Sequence, residues 1–298
     1  MNNECIVRVE YERDSTLKEA DVLQIKNWLK YQPHLPGMTE LEIIWFLRSC
    51  YHNIDNTKVT IEKYFNIKTS CRELLGNRHL DLKVLKDSLD VILFYVMPKR
   101  TPDGSTAVIC HLIDTNPENY NFNEAMKMFD LVVMVDMFKN GSYDGVLCCC
   151  DMKGVSFSHL PRIGLTTVKN FLTYLQECMP IRLKAIHFFN VTAVMDAVLK
   201  IIKPFMKKEI VEMIHLHQTV EDLSKVVPLE FISSDFGGGY KPIDVLHDEM
   251  KILLRENENF LIYQEKQVID ESKRVGKSKN SSSDLYGVEG SFKKLELD

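Results

Sequence analysis

No uninterrupted apolar run in this chain approaches the roughly 18 residues that a membrane-spanning helix needs. The opening MNNECIVRVEYERD has neither an apolar core nor a small-residue cleavage site, so no signal peptide is expected. Basic charge is in deficit. Against 42 Asp and Glu stand 37 Lys and Arg, a net charge of −5, whereas nucleic acid as main partner requires a broad basic surface. The eight cysteines (5, 50, 71, 110, 148, 149, 150, 178) show no CxxC spacing and no disulfide framework. Three are consecutive in a predicted strand, Cys148–Cys150, which suits reduced thiols packed as small hydrophobes in the cytosol.

Chemistry-bearing motifs are missing as well. No GxGxxG opens a helix, the triplet Gly237–Gly239 is not followed by Lys-Ser/Thr, and there is no GxSxG elbow. His215 and His217 lie two apart on a predicted strand and His187 on a possible neighbour. Their spacing suggests no fourth zinc ligand, so hydrogen-bonded or ring-packed imidazoles are expected. His111 with Asp114, and Asp136 with Asp144, read as solvated or structural groups, not acid–base pairs. The sequence therefore argues for binding: no enzyme activity, cofactor or metal is expected.

What the chain does have is a change of pattern. Residues 16–89 read as helical: Thr16–Tyr31 carries an apolar stripe and stops before Pro33, and Thr39 with Glu42 forms a capping box ahead of Ile43, Ile44, Phe46 and Leu47. Asp55 is a possible cap for a third helix running to Leu75 and closed by Gly76. From Asp90 apolar runs at 91–97 and 106–113 are followed by a helix at 121–139, a strand at 146–150, a helix at 159–178, a strand at 181–189, a helix at 191–203 and a strand at 213–217. Such alternation implies an α/β fold with a mainly parallel sheet flanked by helices. Pro242 opens the last amphipathic helices, 242–266. The division expected is an N-terminal helical domain (1–89), an α/β domain (90–266) and a flexible Lys/Ser-rich tail (267–298), whose final EGSFKKLELD regains some apolar character.

The densest stretch is 181–208. Val191, Val194, Met195, Val198 and Ile202 share one helical face, while Asp196, Lys200 and Lys203 gather on the other. Six basic residues (Arg182, Lys184, Lys200, Lys203, Lys207, Lys208) face one acid, Asp196. An apolar face backed by basic charge suits a lid over a greasy pocket that opens at a charged membrane. An ordinary βα unit with a solvated face has the same composition.

The helical start with LEIIWFLRS, then DMKGVSFSH, IRLKAIHFFN, IIKPFM, IHLH and FISSDFGGG together resemble the CRAL-TRIO lipid-binding proteins, in particular the α-tocopherol-transfer and retinaldehyde-binding branch. The ending GVEGSFKKLELD is similar to tails of that branch's invertebrate members. The resemblance implies an α/β domain whose sheet floors a lipid pocket, with the helix after the IHxxN strand as a movable gate. It places Phe171, Tyr174, Leu175, Met179, Ile181 and Ile186 in the pocket wall, and Val191, Val194, Met195, Val198 and Ile202 on the inner face of the gate. It implies a phosphoinositide-binding cleft matched by Arg182 and Lys184. The two later basic positions of that cleft fall at Glu209 and Met213, with Lys203, Lys207 and Lys208 close by. The expected function is a cytosolic, monomeric carrier that moves a retinoid, tocopherol or similar lipid between membranes, touching anionic or phosphoinositide-containing surfaces peripherally. The alternative is a phosphoinositide-recruited membrane adaptor without ligand transfer.

Overall fold

The computed structural model describes residues 3–101 and 103–275; residues 276–298, with the remainder of the tail and its apolar ending, lie outside the described residues. Helices α1 (Asn3–Arg13), α2 (Glu19–Lys30), α3 (Glu40–Ser49), α4 (Ile54–Ser70), α5 (Arg72–Leu75) and α6 (Lys83–Ser88) come first. The predicted capping box starts α3: the Glu42 amide donates to Thr39 Oγ1 (3.3 Å), and the Thr39 amide donates back to Glu42 Oε2 (2.7 Å). Helix α3 is apolar on nearly every side because α1, α2 and α4 surround it, and Leu41–Arg48 are all buried. The cap of α4 is Asn53, not Asp55: the Asn53 side chain accepts from the Asn56 amide, and the helix breaks at Cys71 before the short α5.

The strands β1 (Ile92–Val96), β2 (Ser105–Leu112), β3 (Gly145–Asp151), β4 (Leu183–Phe189) and β5 (Ile214–Leu216) form one sheet in that order. β1 is antiparallel to β2, and all later pairs are parallel. The crossovers are α7 (Phe122–Asn140), α8 (Leu165–Glu177), and α9 (Val194–Ile202) with α10 (Lys208–Glu212). Strand order advances in a single direction, so right-handed crossovers place α7, α8 and α9 on the same face of the sheet. After α11 (Val220–Leu223) the chain covers the opposite face, burying Val227, Phe231 and Ile232. Phe236 meets Phe189 edge-on, and Tyr240 stacks with Tyr95. The glycines after Phe236 are required there: Gly237 sits at φ +77°, and a Cβ on Gly238 would stand 2.0 Å from the Ile232 carbonyl oxygen. Helices α12 (Ile243–Glu256) and α13 (Glu258–Lys266) close the chain, with α12 against β1 and α7.

Several expected boundaries shift for physical reasons. The helix expected over 159–178 is a 3-10 turn at Phe157–Arg162, which contains Pro161, followed by α8 proper. The helix expected from Val191 begins at Val194, because Asn190 adopts φ 52° and its side chain donates to Asp151 Oδ1 (2.8 Å). The segment expected to be flexible from 267 is held as far as Arg274. The Ile269 amide donates to Thr69 Oγ1 (2.9 Å), the Asp270 amide to the His34 carbonyl (2.9 Å), and Arg274 pairs with Glu62 (2.5 Å).

The helical and α/β regions share a polar seam. Arg48, 2% exposed, donates to Glu10 and Asp14 (3.0 Å each) and to Asp144 in the α7–β3 loop. Arg78, also buried, pairs with Asp130 of α7 (2.5 Å), and the Tyr174 hydroxyl donates to the same carboxylate (2.5 Å).

Candidate functional site

Side chains alternate along the strands, and the register aligns even-numbered residues across the sheet: Phe94, Cys110, Cys150 and Phe188 form one row, Val108, Cys148 and Ile186 the next. On this face a cavity of about 160 Å³ remains between sheet and crossover helices. Phe94, Cys110, Cys148, Cys150, Ile186 and Phe188 floor it. Phe122, Met126 and Phe129 of α7 and Val168, Phe171, Leu172 and Leu175 of α8 form its walls. Val198 and Ile202 of α9, with Met206 and Ile163, close it. Helix α8 lends itself to this role, since Val168, Phe171, Leu172 and Leu175 recur at helical spacing on one face.

Only three thiols in this lining carry a polar hydrogen. The bond to Cys150, with burial, holds the Cys110 thiol well above its ordinary range, and burial does the same at Cys148. Cys110 and Cys148 thus behave as small apolar groups, not nucleophiles. No His, Asp, Glu, Lys or Arg lines the cavity, and its surface suits an apolar molecule.

Of the residues singled out in the sequence, the structure brings Phe171, Leu175, Ile186, Val198 and Ile202 together at the cavity. Tyr174 faces the other way, buried against Tyr64 and Asp130; Met179 is buried and Ile181 half-buried, both away from the lining. Val194 and Met195 are buried on α9 without reaching the cavity, and Val191 precedes the helix, its amide donating to the His217 carbonyl. Sequence reasoning passed over the thiols and Phe94, Phe122, Met126 and Phe129. The alternation of Cys148 and Cys150 within their strand was the available signal for the floor; nothing local marked α7.

The basic residues divide into two groups. Arg182 is half-buried, its guanidinium 3.9 Å from the Tyr51 ring centroid, and burial pushes its pKa down. Lys207 is paired with Glu177 (3.0 Å), and Lys208 lies 3.8 Å from Glu212. Lys184, Lys200 and Lys203 are exposed, with no ion pair among the described residues.

The odd-numbered face is polar and filled. His111 Nδ1 lies 2.7 Å from Asp151 Oδ2, so its partner is Asp151 and not Asp114. Asp151 also accepts from the Lys153 amide and Asn190. His187 stacks on His215 (4.9 Å between centroids), with its Nδ1 2.9 Å from His217 Nε2. Burial, then His215 and His217, lower the His187 pKa to about 4. These are packed, hydrogen-bonded rings. Among the described residues the group whose ligand atoms do converge is His79, Asp81 and Glu258, and Arg255 already bridges its two carboxylates.

Taken together, fold and cavity define a two-part protein: a helical bundle joined to an α/β sheet with an apolar pocket on one face. The α/β part of the chain carries a CRAL/TRIO domain. The model of the CRAL/TRIO domain matches residues 93–238, and that of the Pinta-like UBA domain matches residues 14–85. Among curated relatives, alpha-tocopherol transfer protein-like of Mus musculus is 25% identical over 263 residues, covering 85% of this chain and 74% of that protein. The Homo sapiens protein of the same name is 25% identical over 260 residues (84% and 74%), and Clavesin-1 of Rattus norvegicus 22% over 244 residues (80% and 68%). A solved structure, that of Sfh5, superposes with a TM-score of 0.36 at 13% identity, covering 63% of this chain and 67% of that one. Among the described residues no helix is long and apolar enough to cross a membrane.

Proposed function

We propose that this protein binds a small hydrophobic molecule in the cavity under α9 and exchanges it at anionic membranes, working as a carrier in the cytosol. The observation that supports this most is the wholly apolar lining around unfilled space. Each Å² of apolar surface a ligand buries there contributes roughly 25 cal/mol.

The cavity's size adds a condition. At about 160 Å³ it matches the space that takes a benzene-sized ring. A retinoid or tocopherol therefore requires the cavity to expand, and α9 is the element placed to move. It is short, it contributes only Val198 and Ile202 to the lining, and it lies between Asn190 in its left-handed conformation and Pro204. Its outward residues Asp196 and Lys200 are exposed. Basic groups near an anionic surface gain about 1 kcal/mol each, enough for a few of them to tip a closely balanced opening. Lys184, Lys200 and Lys203 are free to supply this, whereas Arg182 and Lys207 are already engaged. With Glu209 and Met213 at the later positions, general attraction to anionic lipid is favoured over selective phosphoinositide recognition.

The test is transfer of fluorescent tocopherol and retinoid analogues between vesicles with and without phosphatidylserine. Transfer should accelerate on anionic vesicles and lose that acceleration when Lys184, Lys200 and Lys203 are changed together to Glu. If no analogue binds, or vesicle binding is indifferent to filling the cavity, the carrier reading fails and the adaptor reading gains.

A further inference from the structure

A second cavity, of about 400 Å³, opens between α3, the C-terminal end of α7 and the α12–α13 corner, and no strand contributes to it. This volume lies within the usual range for small-molecule sites, about 300 to 1,000 Å³. Its chemistry is the reverse of the sheet cavity's. Four aromatic residues line it (Trp45, Phe138, Phe260 and Tyr263) together with two acids, Glu42 and Glu256, and no lysine or arginine.

The walls are held in place. Phe138 stacks on Phe260 with ring centroids 4.1 Å apart. The Tyr263 hydroxyl donates to Glu42 (3.3 Å) and accepts from Gln267 (2.7 Å). Glu42 is buried yet bound by neutral donors, the Thr39 amide and Gln264 Nε2 (2.6 Å) among them. The buried Lys68 donates to Gln264 (3.1 Å) and makes no hydrogen bond to Glu42 among the described residues. Glu256 is exposed and makes no ion pair among the described residues.

Aromatic faces carry negative potential, and two carboxylates deepen it. Such a cleft attracts a cation, and most of all one whose charge is spread over methyl groups and costs little to desolvate. We propose that it binds an organic cation of the methylated-ammonium class, the chemistry shared by free choline and a phosphocholine headgroup.

The probe is choline chloride titrated against the full chain carrying Trp28→Phe, so that Trp45 alone reports by fluorescence. The control is 3,3-dimethylbutan-1-ol, choline's neutral carbon isostere, at matched ionic strength. Choline should give a saturable response about tenfold tighter than the isostere. Tyr263→Leu should weaken it about fivefold, and the exposed Glu256→Gln about threefold with an unchanged unfolding midpoint. Equal binding of the isostere, no saturable choline response, or indifference to Glu256→Gln would overturn the proposal. Tighter binding of monomeric short-chain phosphatidylcholine would identify the lipid headgroup as the source and tighter choline the free cation; either result supports the site.

Discussion

The two faces of the sheet are built from alternate residues of the same strands and have opposite economies. The even face carries Phe94, Cys110, Cys148, Cys150, Ile186 and Phe188 and leaves space unfilled. The odd face carries Tyr95, His111, Asp151 and His187, fills its space with the segment following α11, and connects its polar groups. Unfilled apolar space can be given up to a ligand at little cost to the fold. A buried hydrogen-bonded cluster cannot, because each group depends on a partner. The proposed function therefore rests on the even face, and the odd face supplies its rigidity.

The largest effect should come from breaking the odd face. Asp151→Ala removes one acceptor from His111, Asn190 and the Lys153 amide at once, and should cost about 3 to 5 kcal/mol in urea unfolding. Next, Asn190→Ala loses the bond to Asp151 and places a Cβ-bearing residue without a polar side chain at φ 52°, for about 1 to 2 kcal/mol.

A pH effect follows from the same face. His187, with a pKa of about 4 when folded and an ordinary value of 6.5, takes its extra proton in the unfolded chain between those limits. Stability from this group is thus full above about pH 6.5 and falls as pH drops toward 4. His215 and His217 face it, and His217, shifted the same way, has Asp222 and Lys225 nearby. His187→Phe should flatten the fall in unfolding midpoint between pH 6.5 and 4. The smallest change in stability belongs to the even face. Cys148→Leu grows into the cavity, so stability should move by less than about 1.5 kcal/mol, while affinity for an apolar ligand falls about tenfold as its space is taken. If Cys148→Leu destabilised as much as Asp151→Ala, the contrast between the faces would be lost.

Much of this was legible in the sequence, since periodicity changes where the architecture changes. Thr39 with Glu42 announced a helix start, the run 91–97 a strand, and Cys148–Cys150 a strand buried on both faces. The α9 side of the cavity could be anticipated because Val198 and Ile202 sit on an amphipathic stripe, and the α8 side because the resemblance implied Phe171 and Leu175. The α7 side could not. That helix is buried nearly all round, so no stripe distinguishes Met126 and Phe129 from core. Tyr174 was misleading for the opposite reason, because its hydroxyl found Asp130 from a distant helix. Arg182 likewise reads as a free surface charge until Tyr51 is brought beneath it.

Native mass spectrometry of the purified protein, followed by extraction and identification of whatever it retains, tests the even-face pocket most directly. An apolar molecule should be held by the unaltered chain and diminished in Cys148→Leu, with both proteins equally folded. A chain that carries nothing, and that takes up no tocopherol, retinoid or phospholipid when offered them, would contradict it.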